Sequence, residues 1–400
     1  MKLPSLPVTT KAMFYTRLGE LPPKRHIQFR QPDGSLYAEE LVSSRGFSGV
    51  YSNLYHVYPP TRVKQVGKPQ PFGTKIKEDY PLLQTHLKTA GEGLTGHDYL
   101  HGRRMLMKNS DVAIGICNIP AGSRMPFFYK NAEADEVIYI HDGSGRLYSQ
   151  FGVIDVRKGD YVVIPRTTIY RFDFDNEGDM VRLLVIEAAN PIETPQRYRN
   201  ELGQLLEHSP FAERDIRPPH ELITETEKGD YLVKIKKGNY LHQYHYEHSP
   251  MDLVGWDGYL YPFAFSIYDF EPITGRIHQP PPVHQTFHSD GFVICSFVPR
   301  LFDYHPQAIP APYNHSNIDS DEVLFYAEGN FMSRKGIDRG SFTLHPGGLP
   351  HGPHPGTVEK SIGKKETNEY AVMVDTFRPL YLTEEAMAYV DENYPMSWTE

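Results

Sequence analysis

Two stretches of the chain, YKNAEADEVIYIHDG over residues 129–143 and HSNIDSDEVLFYAEG over residues 315–329, are one pattern written twice. Each has an Asn two residues after its first member, a Glu five residues later and a Gly seven residues beyond the Glu. These are Asn131, Glu136 and Gly143 in the first stretch, and Asn317, Glu322 and Gly329 in the second. Between Glu and Gly lies a short run of Val, Ile, Leu, Tyr and Phe, the composition of a strand that ends in a turn. The correspondence continues in GDYVVIPRTTIY over 159–170 and GSFTLHPGGLPH over 340–351, which align Gly159 with Gly340, Pro165 with Pro346 and Tyr170 with His351. Self-similarity at so long a spacing names the building block. The chain is one β unit used twice.

The rest of the sequence fits that reading. Four hundred residues exceed one hydrophobic core, and 32 Gly, 34 Pro, 27 Tyr and 21 Phe suit short strands joined by tight turns. DVAIGICNI, EVIYI, DYVVIP, DYLVKIKK, GFVICSFVP, EVLFY and YAVMVDTF are strand-like runs bounded by turn residues, so an antiparallel sandwich or barrel is expected. Helices should be few. Thr194 and Pro195 can open one through about Glu207, Thr383 can cap EEAMAYVDEN, and Ile76 to Leu87 can hold a short piece broken by Pro81. The expected organisation is a β domain over 1–270, with the first unit at about 100–190, and a second domain over 271–400.

Charge and cysteine usage bound the partners. Forty-one Lys and Arg against 50 Asp and Glu leave a net charge of −9, which disfavours nucleic acid. Cys117 and Cys295, one in each half and each inside an apolar run, read as lone core thiols of a reducing compartment. No apolar stretch reaches the length of a membrane span and the N-terminus lacks a signal-peptide core, so a cytoplasmic protein is expected.

Both copies resemble the cupin pattern, two strand-turn-strand elements of a small jelly roll, with Asn131 and Asn317 where the second histidine of that pattern stands. The expected fold class is mainly β, two cupin-like jelly-roll units with a few short helices. The copies differ where chemistry would sit. The second offers His315, Glu322 and His351, whereas the first offers Tyr129, Glu136 and Tyr170. Two imidazoles and one carboxylate make the facial set of non-haem Fe(II) oxygenases, which leaves positions open for substrate and O₂. Asp321 is a neighbouring acid, and Zn²⁺ or Mn²⁺ suits the same donors. The first copy reads as metal-free, its pocket filled by aromatic rings.

The wider sequence resembles homogentisate 1,2-dioxygenase, through LYAEELVSSRGFSG, DLVGWDGYLYPFAFSIYDF, RIHQPPPVHQTF, PYNHSN and LPHGPHP in that order. The resemblance implies Fe(II) on His315, Glu322 and His351, and cleavage of homogentisate by O₂ to maleylacetoacetate in tyrosine and phenylalanine catabolism. It implies a base that takes a phenolic proton on His278, with His284 and His288 in the same loop as alternatives. It also implies a homo-oligomer, a trimer or hexamer. Substrate contacts fall on Phe331, Arg334 and His351, and second-sphere roles on His345 and His354. Phe331 departs from the tyrosine that the family places nine residues past the ligand acid. A gentisate-type dioxygenase, a metal-dependent cupin isomerase and a non-catalytic binding bicupin are the rival readings.

Overall fold

The computed structural model describes residues 13–329, 331 and 336–399. The repeat survives as register. In the first unit Asp135–Asp142 lies between Asp160–Ile164 and Met180–Ala188, with Glu136 opposite Ile164 on one side and Glu187 on the other. In the second, Asp321–Glu328 lies between Phe342–His345 and Tyr370–Thr376, with Glu322 opposite His345 and Asp375. Gly143 and Gly329 leave their strands at φ of 104° and 98°, and Gly159 and Gly340 enter the next at 88° and 89°. Side chains with a Cβ rarely adopt that left-handed region, which is why glycine recurs at these matched turns.

The first unit is built from two eight-stranded sheets. Ile138, Ile140, Leu147, Ile154 and Phe172 are buried together in its core. The second unit carries a six-stranded sheet whose order runs Gln285–Ser289, Phe292–Phe297, Tyr370–Thr376, Asp321–Glu328, Phe342–His345 and Thr85–Leu87. The units meet back to back through one apolar cluster. Tyr139 packs against Phe325 at 6.3 Å and Tyr161 against Phe287 at 5.7 Å between ring centres, while the Tyr161 hydroxyl pairs with Ser296 at 2.8 Å. Edge strands are exchanged as well: Thr85–Leu87 completes the second unit's sheet, and Tyr381–Leu382 pairs with Arg103–Lys108 of the first. A four-stranded sheet joins the same cluster through Leu54, Leu253 and Trp256, and His56 ties its strands together with hydrogen bonds to Asp252 at 2.7 Å and Glu40 at 3.0 Å.

All seven strand-like runs form strands, and Cys117 and Cys295 are buried free thiols. One strand pair, Phe128–Asn131 with Lys228–Lys237, is parallel where an antiparallel architecture was expected. The helices need more correction. Residues 194–207 make only the single 3₁₀ turn Gln196–Tyr198, because the Asn200 side chain takes the amides of Leu202 and Gln204 and Gly203 turns left-handed. Tyr198 and Leu205 are buried there, but Leu202 is 90% exposed. Thr383 does cap, accepting the Ala386 amide, yet the segment it opens is 3₁₀, Glu385–Tyr389. Between Ile76 and Leu87 the regular structure is the edge strand Thr85–Leu87. Among the described residues, no helix is long and apolar enough to cross a membrane.

Candidate metal centre and its cavity

The backbone brings the two histidines of the triad together before any side chain acts. His315 and His351 form an antiparallel bridge in which each amide donates to the other's carbonyl at 2.9 Å, and their rings lie 4.2 Å apart. Glu322, at the start of its strand, points its carboxylate at both: Nε2 of His315 is 3.6 Å from Oε2, and Nε2 of His351 is 3.4 Å from Oε1. One potential ligand atom from each of the three lies within 4.8 Å of the others. Each imidazole has Nδ1 near a carbonyl two residues back, Tyr313 at 3.3 Å and Leu349 at 3.4 Å. A proton held there leaves Nε2 as a lone-pair donor. Nε2 of His351 is buried and has no hydrogen-bond partner among the described residues, which leaves its lone pair available to an ion.

His345 supports Glu322 from behind. Its Nδ1 donates to Oε1 at 2.9 Å, its Nε2 accepts from the Tyr394 hydroxyl at 3.1 Å, and its ring stacks on His351 at 4.4 Å. Burial pushes the Glu322 carboxyl up, but the surrounding imidazoles of His315, His345 and His351 outweigh it and hold the group well below its ordinary range. His354 faces the C-terminal turn, pairing with the Ser397 hydroxyl at 3.0 Å and lying edge-on to Trp398.

The first unit holds a cation of its own at the matched place. Arg103 donates to Glu136 at 2.7 Å, to Glu187 at 3.0 Å and to the Tyr129 hydroxyl at 3.2 Å, and Tyr170 closes the other Glu136 oxygen at 2.6 Å. Arg103 and Glu136 side chains are 2% and 1% exposed, so the guanidinium is sealed in. The expected aromatic filling is correct for Tyr129 and Tyr170, with a buried arginine added. The second unit keeps both acids, Glu322 and Asp375, and replaces the two phenols by imidazoles. The donor set left there, imidazole nitrogens with carboxylates and no Lys or Arg in contact with Glu322 among the described residues, fits a divalent metal ion.

Glu322, His315 and Asp375 open onto a cavity of about 440 Å³, within the range of small-molecule sites. His278 and His284 line it too. His278 sits at an open position, its side chain 54% exposed and its Nδ1 paired with Asp303 at 3.0 Å. His284 is buried against Phe297, its Nδ1 without a partner, and burial together with the Arg300 charge pushes it down to about 3. His288 is not among the lining residues and lies 3.5 Å from Glu193. Phe331 lines the cavity with its ring on Tyr326 at 4.6 Å, whereas Arg334 lies outside the described residues. The only Lys or Arg among the described lining residues is Arg300, which gives one hydrogen bond to the Val298 carbonyl and stands 3.7 Å from Glu369.

Residues 76–267 match the family model described as homogentisate 1,2-dioxygenase N-terminal. The homogentisate 1,2-dioxygenases of Nitrobacter hamburgensis and Rhodopseudomonas palustris are each 26% identical, over 432 and 420 residues, with 95% of this chain and 90% of theirs covered. A Saccharolobus solfataricus protein named "Putative dioxygenase" is 44% identical over 390 residues, 96% of this chain and 99% of that one. The chain belongs to the homogentisate 1,2-dioxygenase-like cupin family. Three residues of this dioxygenase relative were not picked out from sequence. Arg103 precedes the repeat and carries no motif spacing, and Arg300 follows a strand with nothing to mark it. Asp375 had a signal, since LLVIEA at 183–188 and AVMVDT at 371–376 each end a strand on an acid one residue before the last.

Proposed function

We propose that the protein is a non-haem Fe(II) dioxygenase that converts homogentisate and O₂ to maleylacetoacetate in the cytoplasmic breakdown of tyrosine and phenylalanine, both oxygen atoms entering the product. The observation that carries this reading is the convergence of His315, Glu322 and His351, the first two on the wall of a cavity sized for a small aromatic acid. These three would hold the metal, and bound Fe(II) supplies redox capacity with open positions for a ring oxygen and O₂. His345 orients Glu322, and His354 supports the turn that carries His351 from the C-terminal side.

His278 takes the ring hydroxyl's proton. The Asp303 carboxylate accepts Nδ1–H and so leaves Nε2 as the base. Arg300 receives the substrate carboxylate, because a guanidinium carries five N–H donors and this one, beside Glu369 at 3.7 Å, gives a single hydrogen bond among the described residues. Phe331, Tyr313 and Phe297 give the ring an apolar wall and keep water from the reacting oxygen. Leu301, Ile309 and Tyr313 are exposed apolar residues beside the cavity, and they support assembly into a homo-oligomer, a trimer or hexamer.

Phe331 favours a second reading, a dioxygenase of another dihydroxylated aromatic acid such as gentisate, since no phenol is offered at that position. Oxygen uptake by iron-loaded protein decides between them. Homogentisate is expected to be the best substrate, with a ring-opened product, and gentisate a poor one. Faster uptake with gentisate selects the second reading. Inactivity with every ring tested, by protein that holds iron, favours a non-catalytic binding protein.

A further inference from the structure

Asp375 is a carboxylate without an assigned task, and it lies on the wall of the same cavity as Glu322 and His315. It is directly opposite Glu322 on the neighbouring antiparallel strand, so the two side chains share a face of the sheet about 5 Å apart at their roots. Its Oδ1 is buried with no hydrogen-bond partner among the described residues. A buried carboxylate oxygen left unpaired beside a second carboxylate is costly unless a cation or a donor meets it. The first unit shows what such a pair does in this fold. There Glu136 and Glu187 occupy the matched register positions, and the two oxygens share one Nη1 of Arg103, at 2.7 and 3.0 Å.

The second unit has no arginine in contact with Glu322 among the described residues, and the group of close ligand atoms contains His315, Glu322 and His351 but not Asp375. We infer that Asp375 is a positioning residue of the metal centre, set outside direct ligation, whose free carboxylate oxygen accepts a hydrogen bond from a water or hydroxyl held on the ion. Glu322 thus ligates while Asp375 orients what else the ion carries, a division of labour that the first unit's single guanidinium makes unnecessary. The inference rests on the metal reading above, and its test separates the two.

The test is an anaerobic titration of the full chain with Co²⁺, following its visible absorption bands, in wild type, Asp375→Asn, Asp375→Val and Glu322→Ala. Wild type should bind one Co²⁺. Asp375→Asn and Asp375→Val should still bind one, with bands shifted and affinity lowered about 10- to 100-fold, the range for a lost outer partner, and with Val the weaker of the two. Glu322→Ala should bind none. Wild-type bands and affinity in Asp375→Asn, with binding lost in Glu322→Ala, would overturn the role of Asp375 and leave the metal centre standing. Undiminished binding in Glu322→Ala would remove both. The near-isosteric Asn variant carries the test should Val fail to fold, as judged by its thermal transition.

Discussion

At the scale of single residues, Glu136 and Glu322 stand second in the matched strands of the two units, and what faces each decides its chemistry. Two phenols and a guanidinium surround the first; two imidazoles and a cavity make the second a candidate ligand site. Replacing Arg103 with Met leaves the buried Glu136 without a charged partner, while Glu187 keeps Lys236 at 3.1 Å, so stability should fall by about 3–5 kcal/mol, the usual cost of removing one partner of a buried charge pair, as read from denaturant unfolding. An unchanged unfolding midpoint would mean that Glu136 is neutral without it. His278→Asn should keep its metal yet turn over on the order of 10²-fold more slowly, the scale of a lost general base. Normal turnover in that variant, together with loss in His284→Asn, would move the base deeper into the cavity. Arg300→Met should raise KM for the aromatic acid about 10- to 100-fold, the worth of a charged hydrogen bond, while the carboxamide analogue is hardly affected. The triad was legible because its three spacings are fixed by the repeated turns. Arg103 and Arg300 were not, because a side chain that reaches in from outside the repeat leaves no periodicity to read.

At the scale of elements, the strands were legible and the helices were not. A run such as EVLFY is rich in strand-favouring Val, Phe and Tyr and lies between turn residues, so local preference and burial agree. Over 194–207 the apolar spacing suggested a helix, but the Asn200 side chain takes two of the amides and Gly203 turns the chain left-handed instead. The four-stranded sheet allows a direct electrostatic test. Burial alone would lower His56, but Asp252 and Glu40 outweigh it and raise the imidazole to about 9. A raised histidine contributes stability that is fully present below the unfolded value of about 6.5 and is lost as pH climbs through about 9. The contribution is on the order of 3 kcal/mol, so unfolding free energy should fall between pH 7 and 9.5 in wild type and change less in His56→Gln. Parallel pH profiles for the two proteins would exclude this linkage.

At the scale of the whole molecule, the candidate metal centre is built from both halves of the chain. The sheet that carries Glu322 and Asp375 is completed by Thr85–Leu87, and the wall behind Phe287 and Phe325 is made by Tyr139 and Tyr161. Residues 271–400 expressed alone should therefore lack a cooperative thermal transition; a sharp one would show that the second unit folds unaided. Repetition could be read from sequence as two similar units, but the shared core could not, since nothing in a motif records which face meets which. The two units also supply the control for the metal centre. Iron counted per chain after anaerobic reconstitution should be near one in wild type, near one in Glu136→Ala although that variant is less stable, and near zero in Glu322→Ala. Full iron in Glu322→Ala, or its loss in Glu136→Ala with the fold intact, would contradict a single metal centre in the second unit.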